Sequence, residues 1–574
     1  MAFFNGKARN PVCYGILFLF VLLLWPGGLF AGEVDDLKQQ LKVLSEQMMK
    51  LQQKLEQLEK TQAQKAEDVK EMDQRLNKAE IHTATDKISL GFELRTRVDS
   101  IHYKDMLTAP NQLIQGFFTP YPQGFNGATA QQIQQGMAAL AAAGMVPPPD
   151  KQDVDNDAVW TNRFRLSMHA KVNSQLTFDA RMAAYKVFGD STDVRYFNGS
   201  MDNVTMDGNS VSMPYGDTIR LERAYFVYKD QIGENLPVAV SFGRRPSTEG
   251  APLEYRNYSM EGGSPLATII NWQFDGASLN FGLEDLIGVP GSAIKFCWGI
   301  GYEGGVGNAS SLGLSQPEVD DVNMGGIIAT FYDDDNTSVV FNYAHAWDIT
   351  DGFTGLTVMP FTVMPQDTNG DGSPELYFQP NGGMYVTRVE PTSNIGTWDA
   401  ATLLVRTNLA EWFDWDIDFF LAGSWSHTSP DGLSQNPFYN AMGLGLLSSN
   451  GNLESQDGYS VYTGVVLPLW GDARFGFEYN YGSKYWFPFT GAEDSLIGSK
   501  LAVRGNAFEA YLIQPIFKQN FFLQLGVKYY DYNYTGSGNP LGAPVKIDDA
   551  SAFDTIFPVV DKVWDGYLSA TVRF

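Results

Sequence analysis

Residues 563–574 read VWDGYLSATVRF, with Trp564, Leu568, Ala570, Val572 and Phe574 on one parity and Asp565, Ser569, Thr571 and Arg573 on the other. Successive side chains of a strand point to opposite faces, so a period of two writes a strand with one apolar and one polar side. A single such strand buries little. Its partners should therefore repeat the alternation elsewhere in the chain.

They do, at 88–98, 163–172, 176–187, 218–229, 238–245, 272–283, 293–302, 322–332, 337–348, 397–410, 415–427, 458–467, 473–483, 500–513 and 521–533. With the terminal segment this makes about sixteen antiparallel strands, the even number of a membrane-spanning β-barrel. The connections alternate strictly in length. Short turns at 173–174, 333–336, 411–414, 468–472 and 514–520 separate long segments such as 99–158, 349–396 and 534–562. A soluble sandwich has no reason to gather every long loop on one side, whereas a transmembrane barrel does: short turns in the periplasm, long loops outside.

Composition agrees. The 574 residues include 57 Gly, 38 Phe, 27 Tyr and 12 Trp, and only 18% are charged. Lys7 and Arg9 precede an apolar run over 16–25, then Pro26, Gly27 and Gly28, so 1–31 reads as a signal peptide ending at Ala31. No later apolar run approaches the roughly 20 residues of a spanning helix, which leaves a closed barrel as the way into a membrane. Removing the two basic residues of the leader moves the net charge from −26 to −28. Cys297 alone remains, so there is no intramolecular disulfide, and no CxxCH haem attachment is present.

Between leader and barrel, Val34, Leu37, Leu41, Leu44, Met48, Leu51, Leu55 and Leu58 alternate spacings of three and four, and the phase resumes at Val69, Met72, Leu76 and Ala79. That is a coiled-coil seam over 33–80, expected as a periplasmic α-helical stalk that oligomerises the chain. The barrel then occupies 86–574.

Inward parity in the early strands carries Arg95, Arg97, Arg163, Arg165, Lys171 and Arg181, and acidic candidates Asp416, Asp418 and Glu478 fall on later strands. Charges lining a bore tune its ion selectivity, and opposed walls of opposite sign would set up a transverse field. From residue 81 on there are 55 acidic and 29 basic residues. An acidic exterior suits divalent-cation bridging to lipopolysaccharide in an outer membrane and argues against nucleic acid. Asp367, Asn369 and Asp371, followed by Gly372 and Glu375, space oxygens as a calcium loop does. Position twelve is Phe378 rather than the bidentate Glu of an EF-hand, so a solvated acidic turn is the competing reading. A helix in 129–145, ahead of Pro147–Pro149, would either plug the mouth or decorate the surface. Five histidines form no HExxH or similar spacing, and nothing points to an enzyme or a resident cofactor.

Leader, heptad stalk, barrel and terminal Phe574 together resemble stalked outer-membrane porins of the phosphate-selective-porin-like type in Gram-negative bacteria. More narrowly, FGRRPSTEGAP at 242–252, EYNYGSKYW at 478–486 and KLAVRGNAFEAY at 500–511 look like an uncharacterised porin-like family. The resemblance implies a trimeric channel for passive diffusion of small hydrophilic solutes or ions. It also places Glu249, Glu254 and Glu261 on the loop that general porins fold inward as a constriction. The lysine-rich anion-binding elements of phosphate porins are not evident. Two alternatives stand beside the channel: a plugged structural or interaction barrel contacting the cell wall, and the barrel partner of an electron-transfer cytochrome.

Overall fold

The structure, a computed structural model of the full chain, describes residues 42, 43, 45, 48–50, 52, 54, 87–189, 219–259, 262–303, 319–352, 355–358, 361–367, 370–371, 375–380, 386–389, 391–435, 445, 447, 452–491, 493–538, 542–555 and 558–574. Two units separate between Ala84 and Thr85. In the first, the described positions are helical. The signal peptide and all of the seam except Met48 lie outside the described residues.

The second unit is a closed barrel of sixteen strands, each antiparallel to its neighbours. In chain order they are β1 Ile88–Thr108, β2 Asp150–Lys171, β3 Leu176–Val187, β4 Ile219–Ile232, β5 Leu236–Arg244, β6 Asp275–Gly282, β7 Ala293–Tyr302 and β8 Val322–Asp333. Then follow β9 Thr337–Thr350, β10 Asn394–Asn408, β11 Asp418–Pro430, β12 Gln456–Pro468, β13 Arg474–Gly482, β14 Gly505–Phe517, β15 Phe521–Tyr532 and β16 Lys562–Arg573. The ring closes where β1 meets β16, from Glu93 opposite Arg573 to Lys104 opposite Lys562. Phe92 and Phe574 extend that seam: each backbone N–H donates to the other's carbonyl at 2.8 and 3.0 Å, and the rings stack at 5.1 Å. Closure leaves no edge strand with unpaired amides, the condition for a sheet in hydrocarbon.

Leu90, Leu94, Phe164, Phe296, Leu403, Leu568 and Val572 stand exposed on the outside, and the residues flanking Phe164, Leu403 and Leu568 along their strands are buried inside. Trp412, Trp415, Trp470 and Phe517 are exposed at the short-turn end, where amphipathic rings form an interfacial girdle. No described helix is long and apolar enough to cross a membrane. The short turns are closed by their own side chains. Asn173 Oδ1 accepts from the backbone N–H of Gln175 and Leu176, both at 2.8 Å, and Asp334 Oδ1 accepts from Thr337 at 2.6 Å.

Two strand boundaries differ from the sequence reading in an instructive way. β1 and β2 run on to Thr108 and Asp150, and residues 150–158 are exposed on both faces, so no alternation marks them. Conversely, 272–274 and 500–504 alternate but belong to loops, where Trp272 and Lys500 are buried inside the barrel.

Those loops fill the interior. The third long connection, 245–274, and the seventh, 483–504, join as a parallel pair of Ile270–Asn271 with Phe489–Thr490. Ile269, Trp272, Phe487 and Phe489 pack with Tyr302, Met324, Ala346 and Trp398 of the wall, and the Trp398 indole donates to Phe487 O at 2.8 Å. Leu253, Leu266, Ala267 and Leu501 pack on Leu404, Phe420, Ala422 and Tyr462. The first long loop does something else. Its α1 Asn111–Phe118 precedes α2 Ala130–Ala142, which Thr129 and Gln132 start with a capping box. Thr129 bridges to Tyr377 of the loop hairpin Phe361–Gln366 with Glu375–Pro380, so the helix sits against another loop.

Leu568→Lys places a charge on the outer face of β16 and is expected to lower barrel stability by about 2–4 kcal/mol. Urea unfolding in liposomes measures this; an unchanged midpoint would mean that face does not meet lipid.

Candidate functional site: the charged lumen and its inward loops

Cross-strand register sets the inner wall. Arg95 lies directly opposite Arg163 on β1 and β2, Arg181 opposite Arg223 on β3 and β4, and Glu478 opposite Glu509 on β13 and β14. Like charges facing each other across a ladder destabilise a sheet. In each case a side chain of opposite sign arrives from an inward loop and bonds both members.

Asp494 Oδ2 accepts from Arg95 Nη1 at 2.9 Å and, in closer contact, from Arg163 Nη1. Glu249 Oε2 accepts from Arg181 Nη2 at 2.8 Å and Arg223 Nη2 at 3.3 Å, while its Oε1 lies 2.9 Å from Arg165 Nη1. Lys500 Nζ donates to Glu509 Oε2 at 2.5 Å and to Glu478. Glu478 also accepts from the Tyr462 and Tyr511 hydroxyls, at 2.5 and 3.0 Å. Arg256 completes this second cluster, its Nε donating to Glu509 Oε1 at 3.1 Å.

Burial shows how tightly the loops fit. Glu478 and Glu509 are each 1% exposed and Glu222 is 0% exposed, so along these stretches of wall water is excluded. A cavity of about 710 Å³ lies at the short-turn end, between β1–β4 and the third loop. Arg163, Arg165, Arg181, Arg223 and Arg573 line it from the wall, Glu249, Glu254 and Asn257 from the loop.

The structure thus gathers Arg95, Arg163, Arg165, Arg181 and Glu249 into one network. Arg97 lies beside it, held by Asp99 at 2.8 Å and Asp565 at 3.2 Å under the Tyr567 ring. Glu478 sits in the Lys500 cluster. Lys171 is exposed where β2 ends, and Asp416 and Asp418 accept from Asn408 Nδ2 at the turn between β10 and β11, at 2.9 and 3.0 Å. Glu254 is bonded to Arg406 at 2.5 Å, and Glu261 lies outside the described residues. The arginine wall is therefore bridged by carboxylates in contact with it, rather than facing an acidic wall across water. Asp367 and Asp371 are exposed at the tip of the loop hairpin, Asp367 accepting from the Gly370 N–H at 2.6 Å. Asn369 and the Glu375 side chain lie outside the described residues.

Sequence reading missed Glu222, Asp494, Lys500 in its bridging role, Glu509, Arg223 and Arg573. Glu222 is hidden by a β-bulge. The register slips between Arg181–Arg223 and Met182–Leu221, so Glu222 and Arg223, adjacent in sequence, both turn inward. Glu222 accepts from Arg165 and Arg181, each at 2.7 Å.

A family model described as "Protein of unknown function (DUF3373)" matches residues 153–574. Similar solved structures include OmpT of Vibrio cholerae in its trimer form, 10% identical with a TM-score of 0.37, over 85% of this chain and 99% of that one. OprB of Pseudomonas putida is 11% identical with a TM-score of 0.39, over 85% and 94%. OmpF of Salmonella typhi, in complex with daunomycin, is 9% identical with a TM-score of 0.36, over 85% and 97%. No curated protein matches the chain.

Two predictions follow from the ion bridges. Lys500→Gln strands Glu478 and Glu509 side by side and is expected to cost about 3–5 kcal/mol, part of which Glu478→Gln in the same chain restores; a double-mutant cycle in urea checks the coupling. Burial alone would raise the Glu249 and Asp494 carboxyls, but Arg165, Arg181 and Arg223 around the first, and Arg163 and Arg95 around the second, hold both well below the ordinary range. A lowered folded-state value stabilises above the unfolded value near ~4 and is lost on acidification through the folded one. Protection factors for amide exchange in loops 245–274 and 483–504, which remove the intrinsic pH dependence of exchange, should then be flat from about pH 8 to 5 and fall only in stronger acid.

Proposed function

We propose a function for a chain that belongs to the DUF3373 family, proteins of unknown function: it is an outer-membrane, porin-like channel for small hydrophilic solutes or ions, its bore narrowed by two inward loops. The cavity of about 710 Å³ carries this reading. It lies inside a closed barrel with an apolar outer face, and charged groups line it. Structural packing does not call for a wet, charged space of that size.

The remaining assignments follow from the orientation. Short turns face the periplasm and long loops the exterior, with 1–31 as the export signal and 33–80 as a stalk that joins copies, as trimers, beneath the membrane. The exposed Asp367 and Asp371 would bind calcium or bridge lipopolysaccharide through divalent ions. A second reading, a plugged interaction barrel, draws on the near-complete exclusion of water from Glu478, Glu509 and Glu222.

Planar bilayers separate the two. The wild-type channel should give small discrete conductance steps, and Glu249→Gln with Asp494→Asn, which loosens both loops, should enlarge them. Silence from wild type and variant alike would leave the plugged barrel.

A further inference from the structure

The network behind the cavity does not balance. Arg95, Arg163, Arg165, Arg181 and Arg223 are tied through ion pairs to Glu93, Glu222, Glu249 and Asp494, five cations to four carboxylates. Arg573 adds a sixth cation. It faces Glu93 across the seam, yet its Nη2 donates only to backbone carbonyls, Tyr258 at 2.9 Å and Asn257 at 3.5 Å. Six guanidinium groups against four carboxylates leave two positive charges in excess among the described residues. Of the other acids on the cavity wall, Glu254 pairs with Arg406 at 2.5 Å, while Asp179 lies outside the network and bonds the His169 ring at 2.7 Å, a pair that cancels only when the imidazole is protonated.

Neutral acceptors do not absorb the excess. The Nε–H of Arg95, Arg165, Arg223 and Arg573 is buried with no hydrogen-bond partner, as is Arg95 Nη2. Arg223 is 8% exposed and has only the Glu249 carboxylate and the Thr248 carbonyl, at 3.3 and 3.4 Å. A buried guanidinium left short of acceptors costs free energy, and an anion arriving beside it relieves that cost. Arg165, Arg223 and Arg573 all border the cavity.

From this we infer that the cavity is a binding site for a small oxyanion carrying two negative charges, a dicarboxylate or a phosphate, although the chain as a whole carries −26. The inference deepens the channel reading by naming what the vestibule prefers, but binding can be measured whether or not the barrel conducts. Two charges match the excess. Planar carboxylate and tetrahedral phosphate oxygens both suit guanidinium forks.

The test uses the full chain refolded in detergent at low ionic strength, titrated calorimetrically with succinate, with inorganic phosphate and with the dication putrescine. Saturable binding of succinate or phosphate, none of putrescine, and a loss of about tenfold or more in Arg223→Gln support the site. A preference of one anion over the other assigns the class. Lys546→Gln, an exposed cation on the last long loop, serves as the unaffected control. Should Arg223→Gln fail to fold, Arg573→Gln takes its place, and the wild-type titration still decides. Conductance with no anion binding and a cation-selective reversal potential would overturn the inference and leave the channel standing. Anion binding without conductance would do the reverse.

Discussion

Facing pairs of like charge on the barrel's inner wall are the constraint from which the rest of the interior follows. Arg95 with Arg163, Arg181 with Arg223, and Glu478 with Glu509 each occupy directly opposed positions on adjacent strands. In an empty bore water would screen them. Here they are nine-tenths or more buried, apart from Arg181, so each needs a counter-charge in contact, and Asp494, Glu249 and Lys500 supply one apiece. The same wall that repels itself thus fixes where two loops must lie. A buried bridge of this kind is a better device for position than for stability, because its desolvation cost offsets much of its attraction.

Apolar packing divides the work with these bridges. On the side of β7–β12 the inner wall carries Met324, Ala346, Trp398, Leu404, Phe420 and Ala422, which loop residues cover. On the side of β1–β4 it carries arginines and borders the cavity. A loop laid against the first side by hydrophobic burial therefore presents an acid, Glu249, to the second. The cavity is what the two forces leave between them.

How much of this could be read from the chain depends on periodicity. Strands such as 176–187 and 293–302 agree to the residue, because a lipid face and a lumen face impose strict alternation. The arginines of the early strands were legible for the same reason. Glu222 was not, since a bulge puts two consecutive residues inside, and neither were Asp494 and Lys500 as bridges, since a loop has no period. Nor does sequence alone give the register that sets Arg95 against Arg163. The acidic wall expected opposite the arginines is replaced by carboxylates among them, a matter of tertiary contact that parity cannot carry.

The seam between Phe92 and Phe574 has a kinetic corollary. Every other neighbouring pair of staves is adjacent in sequence, but this contact joins residues 482 positions apart by their numbering. Ordering entropy must be lost over nearly the whole polypeptide before that one ladder can form. Until then the sheet keeps two open, greasy margins whose unpaired amides would pair with any other chain.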